Sequence, residues 1–174
     1  MDTWSYGIIG CDDAYDLFFD ITEIVVDKFS NEELELYPRY MIPDEKYKEV
    51  LVSVYEDLKK FVEVKKSRLA YIVLGAHLMI IGVPIDENLK EKILEYSDWK
   101  YEKDQIRNEK HRIERKKNLE EFRETLIKYN GNGEEKIPSF FDTVTSVINR
   151  RFDESDSSPI KLKNIDYTIK KNKK

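Results

Sequence analysis

The sequence has a single cysteine and two histidines, and this scarcity excludes several kinds of site. One cysteine, Cys11, cannot form a disulfide within the chain or supply a Cys-x-x-Cys metal or redox motif. There is also no Gly-rich phosphate loop, no Gly-x-Ser-x-Gly motif and no His-Glu-x-x-His motif. We therefore expect a protein of the reducing cytoplasm that needs no cofactor and no metal, and a binding protein rather than an enzyme.

The sequence also lacks an uninterrupted hydrophobic run. Its longest apolar stretch, residues 69–85, is 17 residues long and is broken by Gly75, His77, Gly82 and Pro84. Because a membrane-spanning helix needs about 20 apolar residues, we expect a buried core helix here and no membrane contact. The first four residues carry no basic charge and no apolar stretch follows them, so we expect no signal peptide.

What the chain does contain is helical periodicity with enough apolar content for one core. Of its 174 residues, 40% are hydrophobic and 37% are charged, which is sufficient to build and cover a single domain. We predict an all-α fold, a helical bundle of about six to seven helices over residues 1–159, followed by a basic C-terminal arm, 160–174, with a short β segment. The predicted helices cover residues 12–27, 31–37, 44–64, 68–81, 86–96, 98–129 and 138–152.

Helix boundaries are predicted from capping residues and breakers. A short polar side chain at a helix start can accept a hydrogen bond from a backbone N–H. The residues at such positions are Asp12 or Asp13, Ser30, Asp44, Ser67 and Asp86. The turn 82–86, with Gly82 and Pro84, predicts an antiparallel helix hairpin. Residues 98–117 contain eight Lys or Arg and five Asp or Glu, which indicates an exposed helix held by neighbouring opposite charges. In that segment we expect the side chains of Trp99, Tyr101, Ile106 and Ile113 to point inward.

The most strongly patterned stretch is the first predicted helix, which has an apolar face and an acidic face. The apolar residues at helical spacing are Ala14, Leu17, Phe18, Ile21, Ile24 and Val25, and the acidic residues are Asp13, Asp16, Asp20, Glu23 and Asp27. Like charges four residues apart disfavour an isolated helix by roughly 0.2–0.5 kcal/mol per pair. Such a stripe is either an ordinary solvated face or a surface that meets a basic partner, and we predict the second.

The start of the chain resembles a bacterial domain family of unknown function. Members of that family begin Trp-Gly-x-Gly-x-Phe-x-Asn-Asp-Asp-Ala-x-Asp followed by an aromatic residue. Trp4, Gly7, Asp12-Asp13-Ala14 and Asp16 match this pattern in register, whereas Ser5, Ile9, Cys11 and Leu17 depart from it. The resemblance implies a helical bacterial domain and leaves its function open.

Charge is divided along the chain, and this division directs the functional hypothesis. Residues 1–64 contain 16 Asp or Glu and 6 Lys or Arg, a net charge of −10, whereas residues 160–174 contain six lysines and one aspartate, a net charge of +5. An acidic helical surface suits fast association with a basic protein. We therefore predict an immunity protein that blocks a nuclease toxin delivered by a competing bacterium, with Asp13, Asp16, Asp20, Glu23 and Asp27 contacting the toxin.

Two other classes of function remain as alternatives. The first is a metal-dependent hydrolase or nucleic-acid-processing enzyme with Asp12, Asp13 and Asp16 as metal ligands. The second is a nucleic-acid-binding module that uses residues 100–117 and the basic arm, but the acidic remainder of the chain argues against direct binding of nucleic acid. We expect His77 to be a hydrogen-bonded core histidine, His111 to face solvent and Cys11 to be a buried thiol rather than a nucleophile.

Overall fold

The fold is a bundle of helices, seen in a computed structural model that describes residues 7–36 and 44–131 and the backbone of two C-terminal strands. The described residues form seven α-helices, so the predicted all-α class is confirmed. The helices are α1 (Asp12–Val26), α2 (Asn31–Leu36), α3 (Asp44–Ser53), α4 (Tyr55–Lys65), α5 (Arg68–Ile81), α6 (Glu87–Tyr96) and α7 (Glu109–Lys128), with one turn of 3-10 helix at Trp99–Tyr101 between α6 and α7.

Helix α5 is the centre of the bundle. Every residue from Ala70 to Ile81 is buried, because the helix is apolar on all sides and has helices α1, α4, α6 and α7 packed around it. It ends at Gly82, whose backbone is left-handed at φ 78°, and the amide of Gly82 donates to the carbonyls of Leu78 and Met79. The predicted hairpin of α5 and α6 follows this glycine cap.

Several helix starts are fixed by the capping residues that the sequence indicated. Ser30 and Glu33 form a capping box, in which the Glu33 amide donates to Ser30 Oγ over 3.2 Å and the Ser30 amide donates to Glu33 Oε2 over 2.9 Å. A hydrogen bond from Lys46, together with those from Ser30, lowers the pKa of Glu33 to about 2. Asp86 caps α6 through the amide of Leu89 at 2.9 Å.

The predicted single helix over residues 44–64 is wrong, because the structure divides it into α3 and α4 at Val54. Val54 has φ −102° and ψ 10°, outside the helical region, and it is buried. The hydroxyl of Ser53 donates to the carbonyl of Val50 over 2.6 Å. A serine hydroxyl that bonds back onto the preceding turn favours a bend in a helix, and the break between α3 and α4 follows directly after Ser53.

The continuous helix predicted from Asp98 is also wrong. After the 3-10 turn the chain passes through turns, and α7 begins only after Asn108, whose side chain accepts the amide of His111 over 3.2 Å. Of the side chains expected to point inward, Ile113 is 64% exposed and Tyr101 is 37% exposed, whereas Trp99 is partly buried against the core. The other end of α7 meets the prediction, since Tyr129 packs on the core and donates to the carbonyl of Val83 over 2.9 Å.

The C-terminal arm contains two paired strands, β1 (Ile160–Lys163) and β2 (Asp166–Ile169). The strands are antiparallel, with Ile160 opposite Ile169 and Lys163 opposite Asp166. The helix predicted over residues 138–152 lies outside the described residues, as does Trp4. Among the helices that the structure describes, none combines the length and the apolar character needed to cross a membrane.

Candidate functional site: the acidic face of the first helix

Helix α1 presents its acidic row to solvent and its apolar face to the core. Ala14, Phe18, Ile21 and Val25 are each at most 1% exposed, and α1 packs against α3 and α5. On the opposite side Asp13, Asp16 and Asp27 are exposed, while Asp20 and Glu23 are partly buried. We call Asp13, Asp16, Asp20, Glu23 and Asp27 the acidic face. At about 1.5 Å of rise per residue, this face extends over about 21 Å along the helix.

The start of α1 differs in one detail from the prediction. The N-cap residue is Cys11, and its side chain forms no capping hydrogen bond. Asp12 and Asp13 therefore do not cap the helix but occupy its first turn, where a carboxylate is favoured by the positive end of the helix dipole. Cys11 is buried as predicted, and burial raises the pKa of its thiol, so the thiolate that a nucleophile requires is disfavoured.

Asp20 has a counter-ion within the chain, which the sequence did not reveal. Lys65, at the end of α4, places its Nζ 3.0 Å from Oδ2 of Asp20. A second, looser pair joins Lys28, just after α1, to Asp57 at the start of α4, with 3.9 Å between Nζ and Oδ2. Asp20 pairs with the end of α4, and the later residue Lys28 pairs with its start, so α1 and α4 run antiparallel, with one ion pair near each end of α4.

Not every member of the acidic face is neutralised in this way. Within the described residues, neither Asp13 nor Asp16 has a Lys, Arg or His nitrogen within 4.0 Å. These two exposed carboxylates lie three residues apart on the outward side of α1. The end of the face that precedes Asp20 is thus the part with most uncompensated negative charge.

The side chains proposed as metal ligands do not form a ligand cluster among the described residues. In residues 7–36 and 44–131, no three His, Cys, Asp or Glu side chains lie together in a way that could hold a metal ion. Asp12, Asp13 and Asp16 all lie in the first two turns of one helix, and both histidines lie on other helices. Carboxylates on a single helix supply few ligands unless a second element brings others to the same point.

A buried cluster of charges was missed by the sequence reasoning. Glu102 is 6% exposed and Arg115 is 8% exposed, although both lie in the segment that was predicted to be a solvated helix. Arg115 binds the carboxylate with two nitrogens, Nε at 2.7 Å from Oε2 and Nη2 at 3.1 Å from Oε1. Arg68, at the start of α5, donates to the same carboxylate over 3.1 Å.

This cluster joins distant parts of the chain. Arg115 also donates to the carbonyl of Gly7, just before α1, and Arg68 donates to the carbonyl of Tyr96 over 2.6 Å. Burial alone would raise the pKa of the Glu102 carboxyl, but the hydrogen bonds and positive charges of the two arginines hold it below its usual value. The carboxylate is therefore ionised, and it holds α5, α7 and the segment leading into α1 together.

His77 lies in the core, as predicted. It is fully buried on α5, with Nε2 2.9 Å from the hydroxyl of Tyr47 on α3 and its ring 4.8 Å from that of Phe18 on α1. Burial lowers the pKa of this histidine to about 3, so the ring is neutral at physiological pH. His111 is only partly exposed, in contrast to the solvent-facing position we predicted.

The charged surface of α7 is mixed in sign rather than uniformly basic. Lys116 pairs with Glu120 and Lys117 with Glu121, each four residues apart, at 3.6 Å and 3.7 Å. With Arg115 turned into the core, the positive charge left on this helix is interspersed with carboxylates. A continuous basic surface is what a phosphate backbone attracts, so this arrangement favours solvation of the helix over binding of nucleic acid.

Comparisons of the chain with protein-family models, with curated proteins and with solved structures found no match. The resemblance of Trp4 to Asp16 to a bacterial domain family stays a prediction.

Proposed function

We propose that the chain is a non-catalytic binding protein that neutralises a basic protein partner through the acidic face of α1. The observation that carries this proposal is the row of carboxylates along the outward side of one helix, with Asp13 and Asp16 exposed and uncompensated among the described residues. Mutual repulsion within such a row is relieved when lysine or arginine side chains of a partner dock against it.

The most concrete partner is a bacterial nuclease toxin, which would make the chain an immunity protein. A nuclease must attract a polyanion, so the surface around its active site is basic, and an acidic helix complements that surface. Steering by opposite charges raises association rates, which suits an inhibitor that has to act before the toxin reaches nucleic acid. The net charge of −10 over residues 1–64 supports the same role.

The packing of α1 also supports binding at this face. The apolar side of the helix packs against α5 and α3, and the carbonyl of Gly7, in the segment before the helix, accepts a hydrogen bond from Arg115. Carboxylates on a fixed helix have a defined spacing before the partner arrives, so little ordering entropy opposes association. A partner with basic side chains spaced over about 20 Å matches this row.

The proposal is tested by protection against toxicity. Cells that express the protein encoded immediately upstream should stop growing and should recover when this chain is co-expressed. The variant Asp13→Lys/Asp16→Lys should lose protection, and the matched control Glu91→Lys/Glu95→Lys, with the same change of net charge at exposed positions of α6, should keep it. Protection by both variants would remove the acidic face from the proposed function.

A further inference from the structure

Lys65 reaches from the end of α4 to the acidic face of α1. Its Nζ lies 3.0 Å from Oδ2 of Asp20 and 5.1 Å from the centre of the Phe61 ring. Both members of the ion pair are near half exposure, at 43% for the Lys65 side chain and 46% for that of Asp20. The ammonium group is thus held by an anion and an aromatic ring while it remains open to solvent.

Asp20 is the third of the five members of the acidic face, so Lys65 interrupts the row in its middle. The members before Asp20 are Asp13 and Asp16, which have no cationic partner among the described residues. A basic chain that docks along α1 would therefore meet two uncompensated carboxylates and then a carboxylate that is already occupied.

We infer that Lys65 is an internal counter-ion which occupies, at Asp20, the position that a cation of the basic partner takes in the complex. This inference rests on the proposed function, since it concerns the same acidic face. Lys65 stabilises the free protein by offsetting the repulsion between Asp20 and its neighbours, and it has to leave Asp20 when the partner binds. Lys65 acts as a specificity-determining residue. Contact with Asp20 adds to the affinity of a partner only if the partner's cation binds this carboxylate more strongly than Lys65 does.

The strength of the pair makes such an exchange feasible. An ion pair between two half-exposed side chains contributes little, equivalent to a factor of about 1.5 to 5 in an equilibrium constant. A partner arginine can bind a carboxylate through two parallel hydrogen bonds. This interaction is stronger than a single contact from a lysine ammonium group. The competition by Lys65 is therefore weak enough to be overcome and large enough to be measured.

The experiment compares Lys65→Met with Lys60→Met, using hexaarginine as the probe at low ionic strength. Both variants remove one positive charge from α4, so they change the net charge equally, but only Lys65→Met releases Asp20. Lys60 is a suitable control because it is 74% exposed and pairs only loosely with Asp57, at 3.9 Å. Methionine keeps most of the length of the lysine side chain and removes its charge, and Lys65→Gln serves as a second variant with a polar end.

Binding is followed by NMR, through the carboxyl carbons of α1. We expect Lys65→Met and Lys65→Gln to bind hexaarginine about 1.5 to 5 times more tightly than Lys60→Met, with the Asp20 signal responding strongly in the Lys65 variants and weakly in wild type. Equal affinities for the Lys60 and Lys65 variants, with an equal response of Asp20, would overturn the inference and leave the proposed function standing. If hexaarginine shifts none of the α1 carboxyl signals in any variant, the proposed function itself fails.

Discussion

Glu102 and Arg115 face each other inside the protein, with Nε of the arginine 2.7 Å from one oxygen of the carboxylate and Nη2 3.1 Å from the other. They are 13 residues apart, on either side of the turns that precede α7. The fold is therefore held together at this point by charge as well as by apolar contact.

Removing one member of the pair should destabilise the protein strongly. Arg115→Met leaves the buried carboxylate of Glu102 with Arg68 alone and removes the hydrogen bond to the Gly7 carbonyl. Loss of one partner of a buried ion pair costs about 3–5 kcal/mol, because the other charge stays in a medium that solvates it poorly. Urea unfolding gives the free energy directly.

Lys117→Met is the control for that substitution, since Lys117 is an exposed residue of the same helix with a loose pair to Glu121. It should change stability by no more than about 0.5 kcal/mol. The double variant Glu102→Gln/Arg115→Met should lose less free energy of unfolding than the sum of the losses in the two single variants. If Arg115→Met lowers the free energy of unfolding by as little as Lys117→Met does, the buried pair is not a stabilising contact.

The buried histidine should make stability fall on acidification. Because burial lowers the pKa of His77 to about 3 in the folded protein, against about 6.5 in an unfolded chain, the unfolded state binds more protons between these values. The contribution of His77 to the free energy of unfolding is fully present above pH 6.5. It decreases by up to about 1.4 kcal/mol per pH unit as the pH falls from 6.5 toward 3.

The measurement is chemical unfolding from pH 7 to pH 4, on wild type and on His77→Phe/Tyr47→Phe. The double substitution removes both polar groups of the 2.9 Å contact and keeps aromatic rings in the core. We expect the stability of this variant to decline less over this range than that of wild type. Parallel profiles for wild type and the core variant would mean that other groups cause the acid dependence.

Gly75 should couple to Ile93, because α5 and α6 approach closely there. A Cβ added at Gly75 would lie 3.0 Å from Cδ1 and 3.1 Å from Cγ2 of Ile93, and 3.4 Å from the Phe122 ring. Gly75→Ala therefore gains helix propensity of up to about 1 kcal/mol but overpacks the contact, at a cost of about 1–3 kcal/mol. We expect a net loss of stability.

A double-mutant cycle isolates this contact. Ile93→Val removes Cδ1, the nearest atom, and alone should cost about 0.5–1.5 kcal/mol. Gly75→Ala should then be less destabilising in the Ile93→Val background than in wild type. Additive effects in the cycle would contradict the close approach of the two helices at this point.

Calorimetric titration should detect no specific binding of magnesium, manganese, zinc or calcium at Asp12, Asp13 and Asp16. The three carboxylates project along one helix rather than converging, and the described residues bring no histidine to them. A stoichiometric site with micromolar affinity that disappears in Asp16→Ala would favour the alternative of a metal-dependent hydrolase over the binding proposal.

Sequence reasoning succeeded where the signal was local. The burial of α5 followed from its all-round apolar pattern, the hairpin from Gly82 and Asp86, and the exposed acidic row of α1 from its helical spacing. Each of these depends on residues within one or two turns of each other. Local spacing is enough to decide which face of such a helix is buried.

It failed where a charged side chain is buried by contacts that are distant in sequence. Arg115 was assigned to the surface with its charged neighbours, yet it stands four, seven and eleven residues before Leu119, Phe122 and Leu126, on the same stripe as these core residues. That spacing was the available signal, and it also places Ile113 off the stripe. The pair of Lys65 with Asp20 joins residues 45 positions apart, and no local pattern predicts it.

The central claim is that the acidic face of α1 binds a basic protein. The most direct measurement is the association rate of the toxin candidate with wild type, with Asp13→Lys/Asp16→Lys and with the control Glu91→Lys/Glu95→Lys, at low and high salt. Lysine in the first turn of α1 costs about 0.3–1 kcal/mol, so equal helicity and folding have to be confirmed first. We predict fast, salt-sensitive association for wild type and for the control, and slow, weak association for the α1 variant. Association of the α1 variant as fast and as tight as wild type would contradict the claim and make the acidic row an ordinary solvated face.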